Sequence, residues 1–86
     1  MKLKDNYITQ DIDGTQVMVA TGRTDFNGIV RSNKTAGEII DLLKQDRSMD
    51  DIIEEMLKKY EVDRETITKD VNKVIDTLRA IGALEG

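Results

Sequence analysis

The chain has no cysteine, histidine, proline or tryptophan, and only one phenylalanine. Without Cys and His there are no disulfides, no thiolate nucleophile, no imidazole base and no ordinary zinc site. Carboxylates, lysines and hydroxyls are left as the only candidate catalysts, and no cluster of residues suggests a cofactor or a metal. No run of about 18 apolar residues is present, the length a membrane-spanning helix requires. The opening Met1-Lys2-Leu3-Lys4-Asp5 passes straight into polar residues, without the apolar stretch of a secretory signal. A soluble, cytoplasmic protein without a membrane partner is therefore expected. Clustered positive charge is missing too: the formal net charge is −4, which argues against a nucleic-acid partner.

What is present is one domain's worth of alternating and helical patterns. Eighty-six residues allow a single modest core spanning 1–86. Tyr7 to Ile12 and Thr15 to Ala20 flank Asp13-Gly14, the favoured pair for a two-residue type I′ hairpin. With that loop, Ile12 faces Thr15, Gln10 faces Val17 and Ile8 faces Val19. Period-2 alternation then groups Ile8, Ile12, Val17 and Val19 as the expected buried face, and Tyr7, Thr9, Asp11, Gln16 and Met18 as the wet one. Residues 21–28 read as a connecting loop, with Phe26 as its anchor on the core. Ile29 to Ser32 reads as a third strand.

Three helices follow. The first is expected from Lys34 to about Gln45, capped by Asn33, with Ala36, Ile39, Ile40 and Leu43 at 3- and 4-residue spacing. Gly37 inside it implies close packing, since glycine is otherwise costly there. Ser48 and Asp51 resemble a capping box for a second helix, which presents Met49, Ile52, Ile53, Met56 and Tyr60. Asp63 can cap a third, with Val62 and Ile67 placed as a hydrophobic staple. Its apolar stripe is Ile67, Val71, Val74, Ile75, Leu78 and Ile81, and Gly82 can end it in left-handed geometry. The expected class is α+β: a three-stranded antiparallel sheet followed by three helices, similar to a winged helix-turn-helix.

Several motifs point elsewhere and fail on context. Asp11-Ile12-Asp13-Gly14-Thr15 resembles the nucleophile motif of haloacid-dehalogenase-type phosphatases, but the chain is too short for that parallel scaffold and lacks βαβ alternation. As an EF-hand start it would put Gln16 where glycine belongs and Gly22 where the terminal Glu belongs. Asp50, Asp51, Glu54 and Glu55 sit where carboxylates complement a helix N-terminus, a hydrated surface rather than a metal site. Arg47-Ser48-Met49 carries a cation where an acyl carrier protein has an acid. A DNA-reading third helix would show Arg64, Lys69, Lys73 and Arg79, but Glu65, Asp70 and Asp76 interleave them.

The strand order, the F-N-x-x-x-R-x-N-x-T pattern at Phe26, Asn27, Arg31, Asn33 and Thr35, and Tyr60-Glu61-Val62-Asp63 together resemble one family. The chain is similar, over nearly its full length, to the PqqD-like proteins, named for coenzyme PQQ synthesis protein D and also called RiPP recognition elements. It departs from them at Ser32, where leucine is common, and at Ile40, where an aromatic residue is frequent. The resemblance implies a non-enzymatic peptide chaperone without a cofactor. Such a module binds the leader segment of a ribosomally made precursor and presents it to a modifying enzyme, often a radical-SAM enzyme. A leader would add as a strand beside Ile29, Val30, Arg31 and Ser32, with side chains entering a cleft walled by Asp70, Val74, Thr77 and Ile81. Arg31 can pair with an acidic leader residue or with a carboxylate of the protein itself. A winged-helix DNA-binding regulator and a general protein-interaction module are the alternatives. The strand edge could equally pair with a second copy, so both a monomer and a strand-mediated homodimer are compatible.

Overall fold

Asp13 at φ 50° and Gly14 at φ 82° both take left-handed backbone, as the two-residue I′ loop requires. The hairpin they close belongs to a computed structural model that describes residues 1–21 and 28–86. Along the chain the elements are β1 (Lys2–Leu3), β2 (Tyr7–Ile12), β3 (Thr15–Ala20), β4 (Ile29–Ser32), α1 (Lys34–Leu42), α2 (Met49–Lys59), α3 (Arg64–Ala80) and β5 (Leu84–Glu85). The expected loop anchor Phe26 lies outside the described residues. Strands β2, β3 and β4 form an antiparallel sheet in that order, so the molecule is α+β as expected. The hairpin register is the one read from the sequence, with Ile12 opposite Thr15, Gln10 opposite Val17 and Ile8 opposite Val19.

The faces of that sheet are the reverse of the expectation. Tyr7, Gln16 and Met18 are buried, whereas Ile8 and Ile12 are 53% and 51% exposed. Gln16 enters the core with its amide nitrogen paired: Nε2 donates to the Gly37 carbonyl at 3.1 Å and to Asp41 Oδ1 at 2.9 Å, while Oε1 is buried without a hydrogen-bond partner among the described residues. Tyr7 is buried on similar terms, its hydroxyl donating to the Ile81 carbonyl at 3.1 Å. Burying a polar side chain is cheap when its donors are paired. Gly37 is where α1 meets the sheet, and a Cβ there would stand 3.1 Å from Gln16 Cβ.

The helices are set by their ends. Side chains of Asn33, Ser48 and Asp63 accept the amides of Ala36, Asp51 and Thr66. Helix α1 stops at Leu42, short of Gln45, because the Lys44 and Gln45 amides donate three residues back, to the Asp41 and Leu42 carbonyls at 3.2 and 3.4 Å, tightening the last turn; Arg47 Nε also donates to the Leu42 carbonyl at 2.9 Å. Val62 remains 43% exposed, so the expected staple does not close. At the end of α3, Gly82 has φ 73°. There the Ala83 amide donates to the Leu78 carbonyl at 2.8 Å and the Gly82 amide to that of Arg79 at 3.0 Å, a Schellman cap. The cap sends the chain back so that β5 pairs antiparallel with β1. Ile39, Ile40, Ile52, Met56, Ile67, Val71, Ile75 and Leu78 fill the space between sheet and helices. Among the described residues, no helix is long and apolar enough to cross a membrane.

Candidate functional site

Among the described residues β4 is an edge, paired with β3 alone. Which of its backbone groups face outward follows from the hairpin. A two-residue loop closes on a hydrogen-bonded pair, here Ile12 and Thr15, and bonded and non-bonded pairs then alternate. Val17 and Val19 therefore bond towards β2, and Gln16 and Met18 towards β4, where they stand opposite Ser32 and Val30. The N–H and C=O groups of Ile29 and Arg31 are the ones directed to the open edge.

A cleft of about 320 Å³ lies alongside this edge, between β4, the start of α1 and the middle of α3. Half-buried Val30 and Val74 supply its accessible apolar surface over a floor of buried Ile39, Ile40 and Leu78, and Asp70, Lys73 and Thr77 run along its α3 side. Residues 70, 73, 74 and 77 share one helix face by their 3- and 4-residue spacing. Thr77 Oγ1 donates back to the Lys73 carbonyl at 2.9 Å, which fixes its rotamer. On the other side stand Ser32, Asn33 and Thr35. Asn33 Oδ1 is used in capping, accepting the Ala36 amide at 2.8 Å. Near Thr35, burial and then the Glu38 carboxylate hold the Tyr60 phenol above its ordinary value, while the Thr35 hydroxyl draws it down.

Six of the eight residues singled out from the sequence line this cleft: Val30, Arg31, Ser32, Asp70, Val74 and Thr77. Ile29 does not: its side chain belongs to the opposite sheet face and is 59% exposed. Arg31 shares that outward face, opposite Val17, so it borders the cleft by its main chain rather than by its guanidinium. Ile81 does not either. The α3 lining advances about 10 Å from Asp70 to Thr77 and ends at Leu78. Ile81 is the C-cap of α3, and its backbone carbonyl accepts the Tyr7 hydroxyl. Lys73, read from sequence as an outward cation, is part of the lining; its i+3 spacing from Asp70 was the available signal. Ser32 and Ile40, the two departures from the family pattern, both line the cleft.

Two of the α2 carboxylates are engaged as surface ion pairs. Glu54 pairs with Arg64 across to α3, and Glu55 with Lys58 at 3.1 Å. The Glu54 carboxylate, by hydrogen bond and by charge, raises the Arg64 guanidinium above its ordinary value.

Compared with known proteins, the chain matches the family model for coenzyme PQQ synthesis protein D (PqqD) over residues 11–84. No curated protein matches it. Among solved structures, that of TbiB1 in complex with the TbiA(beta) leader peptide is similar, with 23% sequence identity and a TM-score of 0.82. The match covers 100% of this chain and 96% of that one, and it establishes a shared fold.

Proposed function

This chain belongs to the PqqD family, and from that premise we propose that it is a non-enzymatic module binding the leader segment of a ribosomally made precursor peptide. The leader adds as a strand to β4 and the module presents it to a peptide-modifying enzyme, of which a radical-SAM enzyme is the first candidate. The observation that carries this reading is the juxtaposition of an open strand edge with a cleft of mixed apolar and polar lining. The outward N–H and C=O groups of Ile29 and Arg31 supply main-chain affinity, and the cleft beside Val30 supplies selection of alternate side chains. TbiB1, which shares the fold, was solved with a leader peptide, and this supports the same use of the same fold here. We place the module in the cytoplasm, where precursors are made.

The test pairs binding with turnover. The protein is titrated with the leader half of a precursor encoded beside it, and the precursor is then incubated with the partner enzyme with and without the module. Saturable leader binding and faster modification with the module present are expected, with precursor mass unchanged by the module alone. A modification rate indifferent to the module would sink the presentation role. Mass change without the enzyme would overturn the non-enzymatic one.

A further inference from the structure

The outward face of the sheet is apolar in a pattern that leads to the open edge. Ile8 stands opposite Val19 and Val19 opposite Ile29, forming one row; Gln10, Val17 and Arg31 form the next. The first row ends at Ile29, 59% exposed and on the last strand. Side chains directly opposite on neighbouring strands lie about 4.5–5.5 Å apart at Cβ, close enough to bury one another. A strand added at β4 therefore extends both rows by one residue each, on the face away from the cleft.

We propose, resting on the strand-addition reading above, that the module selects its peptide from both sides of the added strand. The outward side takes an apolar, preferably β-branched or aromatic, residue opposite Ile29 and an acidic residue opposite Arg31. The intervening residue, opposite Val30, is apolar and turns into the cleft beside Val30 and Val74. Antiparallel pairing is the more stable arrangement for an added strand, and it fixes the order. Read from N to C terminus, the recognised segment is acidic, apolar, apolar. The acidic residue works by local pairing with the exposed Arg31 guanidinium, against the general repulsion from a protein of net charge −4. The row explains why Ile29 tolerates exposure: the strand that covers that end of the row arrives with the peptide.

A randomised peptide library selected on the intact protein, followed by sequencing, tests this without assuming a ligand. Ile29→Thr and Arg31→Glu serve as parallel baits, both at exposed positions where folding is not at risk. Enrichment of the acidic-apolar-apolar triplet is expected. Ile29→Thr should lose the outward apolar preference, with about three- to fivefold weaker binding of selected peptides, and Arg31→Glu should exchange acidic for basic residues. Selected peptides that shift the β4 amides but show no preference altered by either variant would overturn the two-sided reading and leave strand addition standing. If no peptide is enriched over a bare support, strand addition falls and this inference with it.

Discussion

Gln16 holds the place in the sheet that the hydrophobic pattern assigns to an aliphatic residue, and it does so by giving both amide hydrogens to α1. Two readings of the hairpin separate here. Register was legible because it depends on Asp13-Gly14 and nothing else; the faces were not, because the aliphatic residues of the hairpin lie outward. A count of apolar residues cannot see that Gln16 and Tyr7 find partners 21 and 74 residues away. Close packing at Gly37 was legible, since glycine in mid-helix needs a reason. Gly37→Ala should therefore fail to stabilise the protein, although alanine is favoured in helices by about 1 kcal/mol. The added Cβ meets Gln16 Cβ at 3.1 Å, and overpacking of this kind costs about 1–3 kcal/mol. A net loss of about 1 kcal/mol in urea unfolding is expected; a gain would mean the sheet yields. Asp63 gives a pH signature. Hydrogen bonds from the Thr66 side chain and then its amide lower the Asp63 carboxyl below the ordinary 3.8. A depressed folded value means stability that is full above the unfolded value and lost as pH falls through the folded one. Asp63→Asn should flatten that acid limb of the urea-midpoint curve, while leaving the value near neutral pH little changed.

Among elements, β4 is the one whose boundaries and edge position were both readable, because Ile29-Val30 favours extension and Asn33 stops it with a cap. β1 and β5 escaped the sequence reading since two residues each are too few to show a period; they exist because the Schellman cap at Gly82 aims the chain back across the N-terminal strand. The cleft was legible on its α3 side from Asp70 to Thr77, but helical spacing alone carries on to Ile81, whereas the lining ends at Leu78. Helix ends carry ordinary stability, and Ser48→Ala should cost about 1 kcal/mol by leaving the Asp51 amide without its cap. Thermal unfolding of the variant checks this, and an unchanged midpoint would show that water replaces the hydroxyl at no loss. A sharper element-level prediction separates the two edges of β4. Arg31→Pro removes an outward N–H that β3 does not use, so the fold should survive, as proline does on edge strands, while peptide binding weakens about tenfold. Val30→Pro removes an N–H bonded to Met18 and should destabilise the sheet itself.

At the scale of the molecule, one strand edge, one cleft and one outward apolar row converge on β4, and each is built by a different part of the chain. The hairpin sets which β4 groups point outward, α1 and α3 shape the cleft, and membership of the PqqD family gives the arrangement a use. An acidic protein binding a peptide mainly through main-chain hydrogen bonds should show only modest salt dependence, unlike a phosphate-binding surface governed by counterion release. The central claim is strand addition at β4, and amide hydrogen exchange followed by NMR, with and without a saturating leader peptide, tests it most directly. The Ile29 and Arg31 amides, which face the open edge, should gain strong protection on binding, while Val30, already paired with Met18, should change little. Saturable binding that leaves the Ile29 and Arg31 amides exchanging at their free rates would contradict it.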